Sequence, residues 1–154
     1  MSDGLNNLLF MEEALVTQNL PFSGIYSSHG SALIPSNNSS NVNLLARVVY
    51  GEARGEPYTG QVAVAAVVLN RVKSSKFPNS ISGVVYQSGA FDAVADGQIN
   101  MTPDTTAKKA AQDALNGWDP SYGAIYYFNP STATNKWIWS RPMTVTIGKH
   151  RFCK

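Results

Sequence analysis

The spacing of apolar residues divides the chain into a helical part followed by a strand-like part. Apolar side chains recur at helical spacing from Val42 onward, with Asn43 as the predicted N-cap and Gly55 and Pro57 as the end of this first helix. A second helix is predicted to begin between Pro57 and Gly60. Its sequence, QVAVAAVVLNRV, is apolar on all sides and therefore indicates deep burial.

Two more helices are predicted in the middle of the chain. Asn79 or Ser80 caps a short helix that ends at Val85, and a longer helix runs from its N-cap Thr102 to a stop at Gly117. The inner face of the longer helix is predicted to consist of small side chains and one leucine: Ala107, Ala110, Ala111, Ala114 and Leu115.

The last third of the chain is rich in aromatic and β-branched residues, which favour strands. Strands are predicted over 124–129 and 136–140, and a hairpin is predicted around a Gly148-Lys149 turn. Helices followed by a few short strands predict an α+β domain.

The first 42 residues differ in composition from the rest. Residues 23–43 are dense in Ser, Asn and Gly, which is typical of a linker, and residues 5–16 could form a short amphipathic helix. We therefore expect a poorly structured leader or linker over 1–42 and one compact domain over 43–154.

Charge is also divided between these two parts. Residues 1–42 carry three acidic side chains and no Lys or Arg, whereas 43–154 carry all 12 Lys and Arg against seven acidic residues. The mild basicity of the domain suits an anionic polymer, but no Lys/Arg run predicts nucleic acid as the partner. No apolar stretch is long enough to span a membrane, and the N-terminus does not read as a secretory signal. An export signal is therefore not expected within this chain.

The stretch VVYGEARGEP, residues 48–57, places two glutamates at the end of a buried helix. A glutamate walled by apolar side chains loses solvation, which raises its pKa, so Glu52 is a candidate general acid. Gly51 and Gly55 would let another backbone or a bulky substrate come close. The alternative is that Glu52 is solvated or paired with an arginine. Glu56 is most simply a cap for the second helix.

Other candidate groups carry weaker signals. Asp92 and Asp96 could supply a second carboxylate, although loop aspartates more often bond local N–H groups. No clustered metal-ligand pattern, P-loop or dinucleotide fingerprint occurs, so neither a metal nor a cofactor is predicted.

Aromatic residues of the two predicted strands would either fill the core or stack on sugar rings. Alternation places Tyr126 and Tyr127 on opposite sides of one strand, and puts Trp137 and Trp139 together on one side of the other. One set is expected in the core and the other along a groove.

Several long segments resemble the SleB/CwlJ cell-wall hydrolase family. They are LLARVVYGEARGEPYTGQVAVAAVVLNRV, FPNSISGVVYQSGAF, ADGQI and ALNGWDPSYGAIYYFNPSTATNKWIWSRP, followed by IGKHRFCK. The resemblance covers about residues 43–154. It implies a lysozyme-like fold and an enzyme that acts outside the cytoplasm, as a monomer, on spore cortex peptidoglycan during germination. The implied reaction is lytic transglycosylation next to muramic-δ-lactam.

The resemblance also implies roles for individual residues. The first glutamate of YGEARGE is catalytic in the family, which corresponds to Glu52 here. Many relatives have Gln-Phe where this chain has Ala90-Phe91, so a role for glutamine at position 90 does not transfer. Independently of the resemblance, contacts to the glycan are predicted for eight further residues: Tyr127, Asn129, Ser88, Phe91, Gln98, Tyr126, Trp137 and Trp139.

Two alternatives to lytic transglycosylation remain open at the level of sequence. A hydrolytic muramidase would use Glu52 together with Asp92 or Asp96, because ordinary glycosidases need two carboxyl groups. A non-catalytic peptidoglycan-binding module would explain the aromatic residues and the basic charge without any reaction.

Overall fold

The structure, a computed structural model, describes residues 38–154. The predicted amphipathic helix over 5–16 lies outside these residues, as does most of the predicted linker. The helices are α1 (Ser39–Ala53), α2 (Tyr58–Lys73), α3 (Ile81–Val85), α4 (Asp92–Ala95), α5 (Thr105–Leu115) and α6 (Lys136–Trp139), with a 3₁₀ turn over Gln98–Asn100. The strands are β1 (Tyr126–Phe128), β2 (Met143–Ile147) and β3 (His150–Cys153).

Helix α2 packs against both α1 and α5, which also pack against each other. Every residue from Gly60 to Leu69 is buried, which confirms the burial predicted from its all-round apolar sequence. The four predicted alanines of α5 are buried against this layer, while Leu115 is half-buried at its edge. Small side chains on α5 allow the helices to approach closely.

The three strands form one antiparallel sheet in the order β1-β3-β2, with β2 and β3 joined at the predicted Gly148-Lys149 turn. In the register of β1 and β3, Tyr127 lies opposite Phe152 and Phe128 lies opposite Arg151. The predicted α+β class is thereby confirmed. Alternation along β1 separates the side chains that face α1 from those that face α6.

Both predicted N-caps of the long outer helices are wrong. Helix α1 begins at Ser39, and Asn38 caps it by accepting from the Asn41 N–H at 2.8 Å. Helix α5 begins at Thr105, and Asp104 caps it by accepting from the Ala107 N–H at 2.7 Å. Each helix is preceded by several residues that cap well, and their composition does not distinguish between them.

The strand predicted over 136–140 is also wrong, because these residues form the short helix α6. Asn135 caps this helix by accepting from the Trp137 N–H at 2.8 Å. Aromatic content favours a strand only where the segment pairs with a neighbouring strand, and residues 136–140 pair with none of the three strands of the sheet. Trp137 and Trp139 instead lie over the sheet and contact Tyr126 and Phe128 edge-on.

One guanidinium group lies inside the core. Arg71 of α2 is 2% exposed, and its Nε donates to the Ile125 carbonyl at 2.7 Å. Its guanidinium contacts three aromatic rings, those of Phe77, Phe91 and Tyr126. Burial lowers the pKa of Arg71, whereas the nearby Tyr127, Tyr126 and Glu52 raise it. The side chain thus ties α2 to the start of β1.

Asp119 organises the turn that leads into β1. Its carboxylate accepts from the backbone N–H and hydroxyl of Ser121, from the Gly123 N–H and from the Asn70 side chain on α2. Burial would raise the pKa of Asp119, but these hydrogen bonds outweigh it and hold that pKa below its usual value. The same carboxylate therefore stabilises the turn and fixes it to α2.

We predict that Asp119→Ala lowers the free energy of unfolding by about 2 kcal/mol or more, because the donors of Ser121, Gly123 and Asn70 lose their charged acceptor. A lowered pKa in the folded state means that this contribution is present above the ordinary aspartate pKa and is lost as the pH falls through the folded value. Urea unfolding at pH 7 and pH 3 checks this. An equal difference between variant and wild type at both pH values contradicts it.

Candidate active site

Glu52 lies on the last turn of α1, and its side chain is fully buried. One carboxyl oxygen, Oε2, accepts from the Ala93 N–H at 2.9 Å, and the other, Oε1, is hydrogen-bonded by the hydroxyl of Tyr127. The carboxyl group therefore comes from α1 and accepts hydrogen bonds from α4 and from β1. A segment as apolar as VVYGEA leads into a glutamate because that glutamate lies within the core.

Gly51 allows α4 to cover the acid. A Cβ atom at position 51 would lie only 2.7 Å from the Ala93 Cβ, closer than real Cβ contacts. We call residues 89–98, which include α4, the covering segment. Gly89 and Gly97 near its two ends have φ angles of +73° and +85°, which glycine adopts readily and other residues rarely adopt.

A polar network holds the C-terminal end of the covering segment. The Gln98 Oε1 accepts from the Arg54 guanidinium at 2.6 Å, and its Nε2 donates to Asp96 at 2.7 Å. Hydrogen bonds from Gln98 lower the pKa of Asp96. The predicted glycan contact Gln98 is thus close to the end of α1, but its amide is already bonded within the protein.

Tyr127 is buried beneath the acid rather than displayed along a groove. Its ring contacts His150 at a centroid distance of 4.9 Å and Phe152 at 5.9 Å. Burial raises the pKa of Tyr127 well above its usual value, and the charge and hydrogen bond of Glu52 raise it further. The hydroxyl consequently keeps its proton and is available to Glu52 as a donor.

The sequence suggested that Glu56 caps α2, but it does not. Its Oε1 accepts from the Lys149 N–H at 3.0 Å, and no side chain caps α2, whose N-cap is Pro57. A Cβ atom at Gly148 would collide with the same carboxylate. The second glutamate of the motif therefore anchors the β2–β3 turn to the end of α1.

Two of the predicted sugar contacts are core residues. Phe91 and Tyr126 are 2% and 1% exposed, and both rings contact the Arg71 guanidinium. Neither ring face is exposed in this structure, and stacking on these two residues stays a prediction. Alternation along β1 predicted an exposed side, but α6 and the helical core cover both sides.

The remaining predicted contacts lie nearer the surface. Trp139 is 45% exposed, Trp137 is half-buried, and the guanidinium groups of Arg151 and Arg141 lie over their rings. Ser88 is exposed in the turn after α3, and Asn129 closes a turn by accepting from the Ser131 N–H at 2.9 Å.

The candidate second carboxylates differ in position. Asp96 is exposed and bonded to Gln98, whereas Asp92 is half-buried beside Ala93 at the start of α4. The charge of Asp92 contributes to the raised pKa of Tyr127, the tyrosine that bonds Glu52. Asp96 does not appear among the causes of that shift.

The largest space described near α1 lies away from Glu52, and the described residues 38–154 contain no metal-binding cluster. A cavity of about 400 Å³ between α1 and α5 is lined by Ser39, Val42, Asn43, Lys108 and Gln112, at the opposite end of α1 from Glu52. Within the described range, no group of three or more His, Cys, Asp or Glu side chains could hold a metal ion. None of the helices in that range is long and apolar enough to cross a membrane.

Two parts of the site were missed by sequence reasoning. The Ala93 contact is made by a backbone N–H, which any residue type would supply, so no sequence signal marks it. Arg71 did leave a signal, because an arginine at the end of an otherwise apolar helix implies a buried partner.

The fold is an α+β domain in which the fully buried Glu52 lies where α1, α4 and β1 meet. Residues 55–153 match the family model described as Cell Wall Hydrolase. The spore cortex-lytic enzyme of Bacillus cereus is 64% identical over 122 residues, which are 79% of this chain and 47% of that protein. The chain belongs to the Cell Wall Hydrolase family. Because the match begins at residue 55, it includes Glu56 and Tyr127 but not Glu52.

Solved structures agree with this assignment. The catalytic domain of the Bacillus cereus SleB protein has a TM-score of 0.74 at 64% identity, covering 79% of this chain and 95% of that one. The catalytic domain of the germination-specific lytic transglycosylase SleB from Bacillus anthracis has a TM-score of 0.73 at 63% identity, covering 79% and 100%. The chain spans less than half the length of the spore cortex-lytic enzymes it matches.

We predict that Gly51→Ala destabilises the domain by about 1–3 kcal/mol, because the new methyl group collides with Ala93 and displaces α4 from Glu52. Gly60→Ala is the matched control, since its Cβ would come no closer than 3.3 Å to any atom, the nearest being the Ile147 Cγ2. Thermal unfolding of both variants checks this. Equal midpoints would show that α4 tolerates the methyl group.

Proposed function

We propose that this chain is the catalytic domain of a lytic transglycosylase that cleaves spore cortex glycan next to muramic-δ-lactam, with Glu52 as its proton donor. The observation that carries the proposal is the fully buried carboxyl group of Glu52, held by donors from α4 and β1. Two further findings support it: the identity to spore cortex-lytic enzymes and the likeness to a lytic transglycosylase domain. The domain would act as a monomer, outside the cytoplasm, at the cortex.

A single carboxyl group is sufficient for this reaction. Glu52 gives its proton to the glycosidic oxygen, the bond to the anomeric carbon breaks, and an oxocarbenium-like centre forms. The C6 hydroxyl of the same sugar attacks that centre and passes its proton to the Glu52 carboxylate, which restores the acid. An intramolecular nucleophile has a very high effective concentration and outcompetes water in a closed site.

The surroundings of Glu52 suit both stages. Burial disfavours the charged form of a carboxyl group, which is the environment that a general acid requires. Once Glu52 is ionised, the Tyr127 hydroxyl donates to the new negative charge. Tyr127 lies on β1, outside the covering segment, so this donor stays in position when the covering segment moves.

Glycan access requires the covering segment to move, because Glu52 has no exposed surface. Gly89 and Gly97 supply conformational freedom at its ends, and the bond between Gln98 and Arg54 would break. A released Gln98 amide would then be free to bond an N-acetyl group. Further along the surface, Trp139 offers an exposed ring for sugar stacking, and we retain Ser88, Asn129 and Trp137 as proposed contacts.

Hydrolysis is a second candidate reaction, favoured by the half-buried position of Asp92 beside Ala93. In that mechanism Asp92 would activate water or stabilise the sugar cation. The products separate the two reactions, because transglycosylation leaves 1,6-anhydromuramoyl ends and hydrolysis leaves reducing ends that are heavier by one water. A non-catalytic binding module would release no soluble fragments from cortex at all.

We predict that Glu52→Gln lowers the rate of cortex solubilisation by at least about 100-fold, because the amide cannot donate a proton of suitable acidity. Asp113→Asn, on α5 and bonded to Tyr58, is the control for loss of a carboxylate elsewhere. Turbidity loss and mass spectrometry of the fragments check both the rate and the product. A normal rate for Glu52→Gln, or reducing ends as the main product of wild type, contradicts the proposal.

We predict that Tyr127→Phe lowers kcat about 10-fold with little change in KM, because the hydroxyl bonds Glu52 rather than the substrate. The ring and its contacts with His150 and Phe152 are retained, so the variant should remain folded. Initial rates over a range of cortex concentrations check this. A raised KM at constant kcat would instead indicate that Tyr127 binds glycan directly.

A further inference from the structure

A second pair of buried titratable side chains lies behind Tyr127, and the proposed reaction does not use it. His150 begins β3 and is 4% exposed, and Glu56 follows α1 and is 8% exposed. The His150 Nδ1 lies 4.0 Å from the Glu56 Oε1 and has no hydrogen-bond partner among residues 38–154. A buried polar atom without a partner is costly and needs an explanation.

Tyr127 connects the Glu56–His150 pair to Glu52. The His150 ring meets the Tyr127 ring at a centroid distance of 4.9 Å and an interplanar angle of 61°. Tyr127 in turn bonds Glu52. Glu56, His150, Tyr127 and Glu52 therefore form a continuous series of contacts from the β2–β3 turn to the end of α1.

We propose that His150 is a positioning residue for Glu52: its neutral ring holds Tyr127 against the acid, and protonation draws that ring toward Glu56 and loosens the hold. The inference rests on the proposed role of Glu52. It assigns a function to the second glutamate of the YGEARGE motif and to His150, whose ring packs on Tyr127.

The geometry explains why protonation would matter. A separation of 4.0 Å is too long for a hydrogen bond, whereas a charged N–H donor lies about 2.8 Å from a carboxylate oxygen. Closing this gap moves the imidazole by roughly 1 Å, and a displacement of that size at a catalytic group can cost about 100-fold in rate. Because the ring packs on Tyr127, the shift reaches the hydroxyl that bonds Glu52.

The charged and titratable groups around His150 set the pH at which this happens. Burial lowers the pKa of His150, Glu56 raises it, and the adjacent Lys149 lowers it further. Tyr127 also faces the ring and stays neutral because its own pKa is raised. The imidazole is therefore uncharged at neutral pH and takes up a proton only below the ordinary histidine value.

An acidic loss of activity would be diagnostic. An enzyme whose only essential group is a protonated glutamate loses activity as the pH rises, not as it falls. A loss of kcat on the acidic side must therefore come from another group, and His150 is buried next to the tyrosine that bonds the acid.

The test compares wild type, His150→Phe and Glu56→Gln on isolated cortex between pH 4.5 and 8. We expect the kcat of wild type to fall at least about 10-fold below neutral pH at constant KM, with His150→Phe nearly flat over the same range. Glu56→Gln should move the loss to lower pH, because the carboxylate that raises the pKa of His150 is gone. An unrelated lysozyme acting on the same cortex controls for titration of the substrate.

A direct readout of His150 accompanies the rates. The chain has two histidines, so a His29→Gln background leaves one imidazole signal to follow by NMR. We expect the His150 signal to titrate with a pKa below the ordinary histidine value, and with a still lower pKa in the Glu56→Gln variant. The pKa of His150 is lower in the folded than in the unfolded protein, so the free energy of unfolding decreases as the pH drops below the unfolded-state pKa. All rates are therefore measured at a temperature well below the midpoint of thermal unfolding at each pH.

Two outcomes would overturn the inference: a wild-type kcat that stays flat into the acidic range, or superimposable pH profiles for wild type and His150→Phe. Activity in Glu52→Gln would instead remove the proposed function on which the inference rests. If that variant is inactive while the profiles coincide, only the role of His150 fails.

Discussion

The hydrogen bonds to the Glu52 carboxyl group are the interaction on which the rest of the structure depends. They join residues 41 and 75 positions apart in the chain, bringing the end of α1, the covering segment and β1 to one point. A buried carboxyl group without such donors would be strongly destabilising. The burial of Glu52 therefore depends on both donors, and the Tyr127 hydroxyl, which lies outside the covering segment, can also stabilise its charge.

Several features make this arrangement possible. Gly51 lets α4 approach within contact distance, and the bulk of α2 supplies the apolar surroundings. Arg71 places a positive charge in the same core, surrounded by aromatic rings and near enough to Glu52 for each to affect the other. The site thus combines low solvation with a small number of fixed donors, which suits a reaction in which charge appears briefly and is then removed.

The sequence predicted more of the fold than of the site. Helix α2, the alanine face of α5 and the β2–β3 hairpin followed from periodicity and turn residues, because local pattern and tertiary structure agree there. Helix α6 could not be predicted in this way, since the aromatic segment KWIWS is compatible either with a strand or with a helix that packs on a sheet. Glu52 could be predicted as a buried acid from the apolar run before it. Its partners could not, because one is a backbone N–H and the other lies on a strand whose two sides are both buried.

A structure of the Glu52→Gln variant with a bound cortex glycan fragment tests the central claim most directly. The account predicts that the covering segment is displaced, with the Gln98–Arg54 bond broken, and that the position-52 amide lies within hydrogen-bond distance of a glycosidic oxygen. A glycan bound elsewhere, with α4 still closed over position 52, would contradict it.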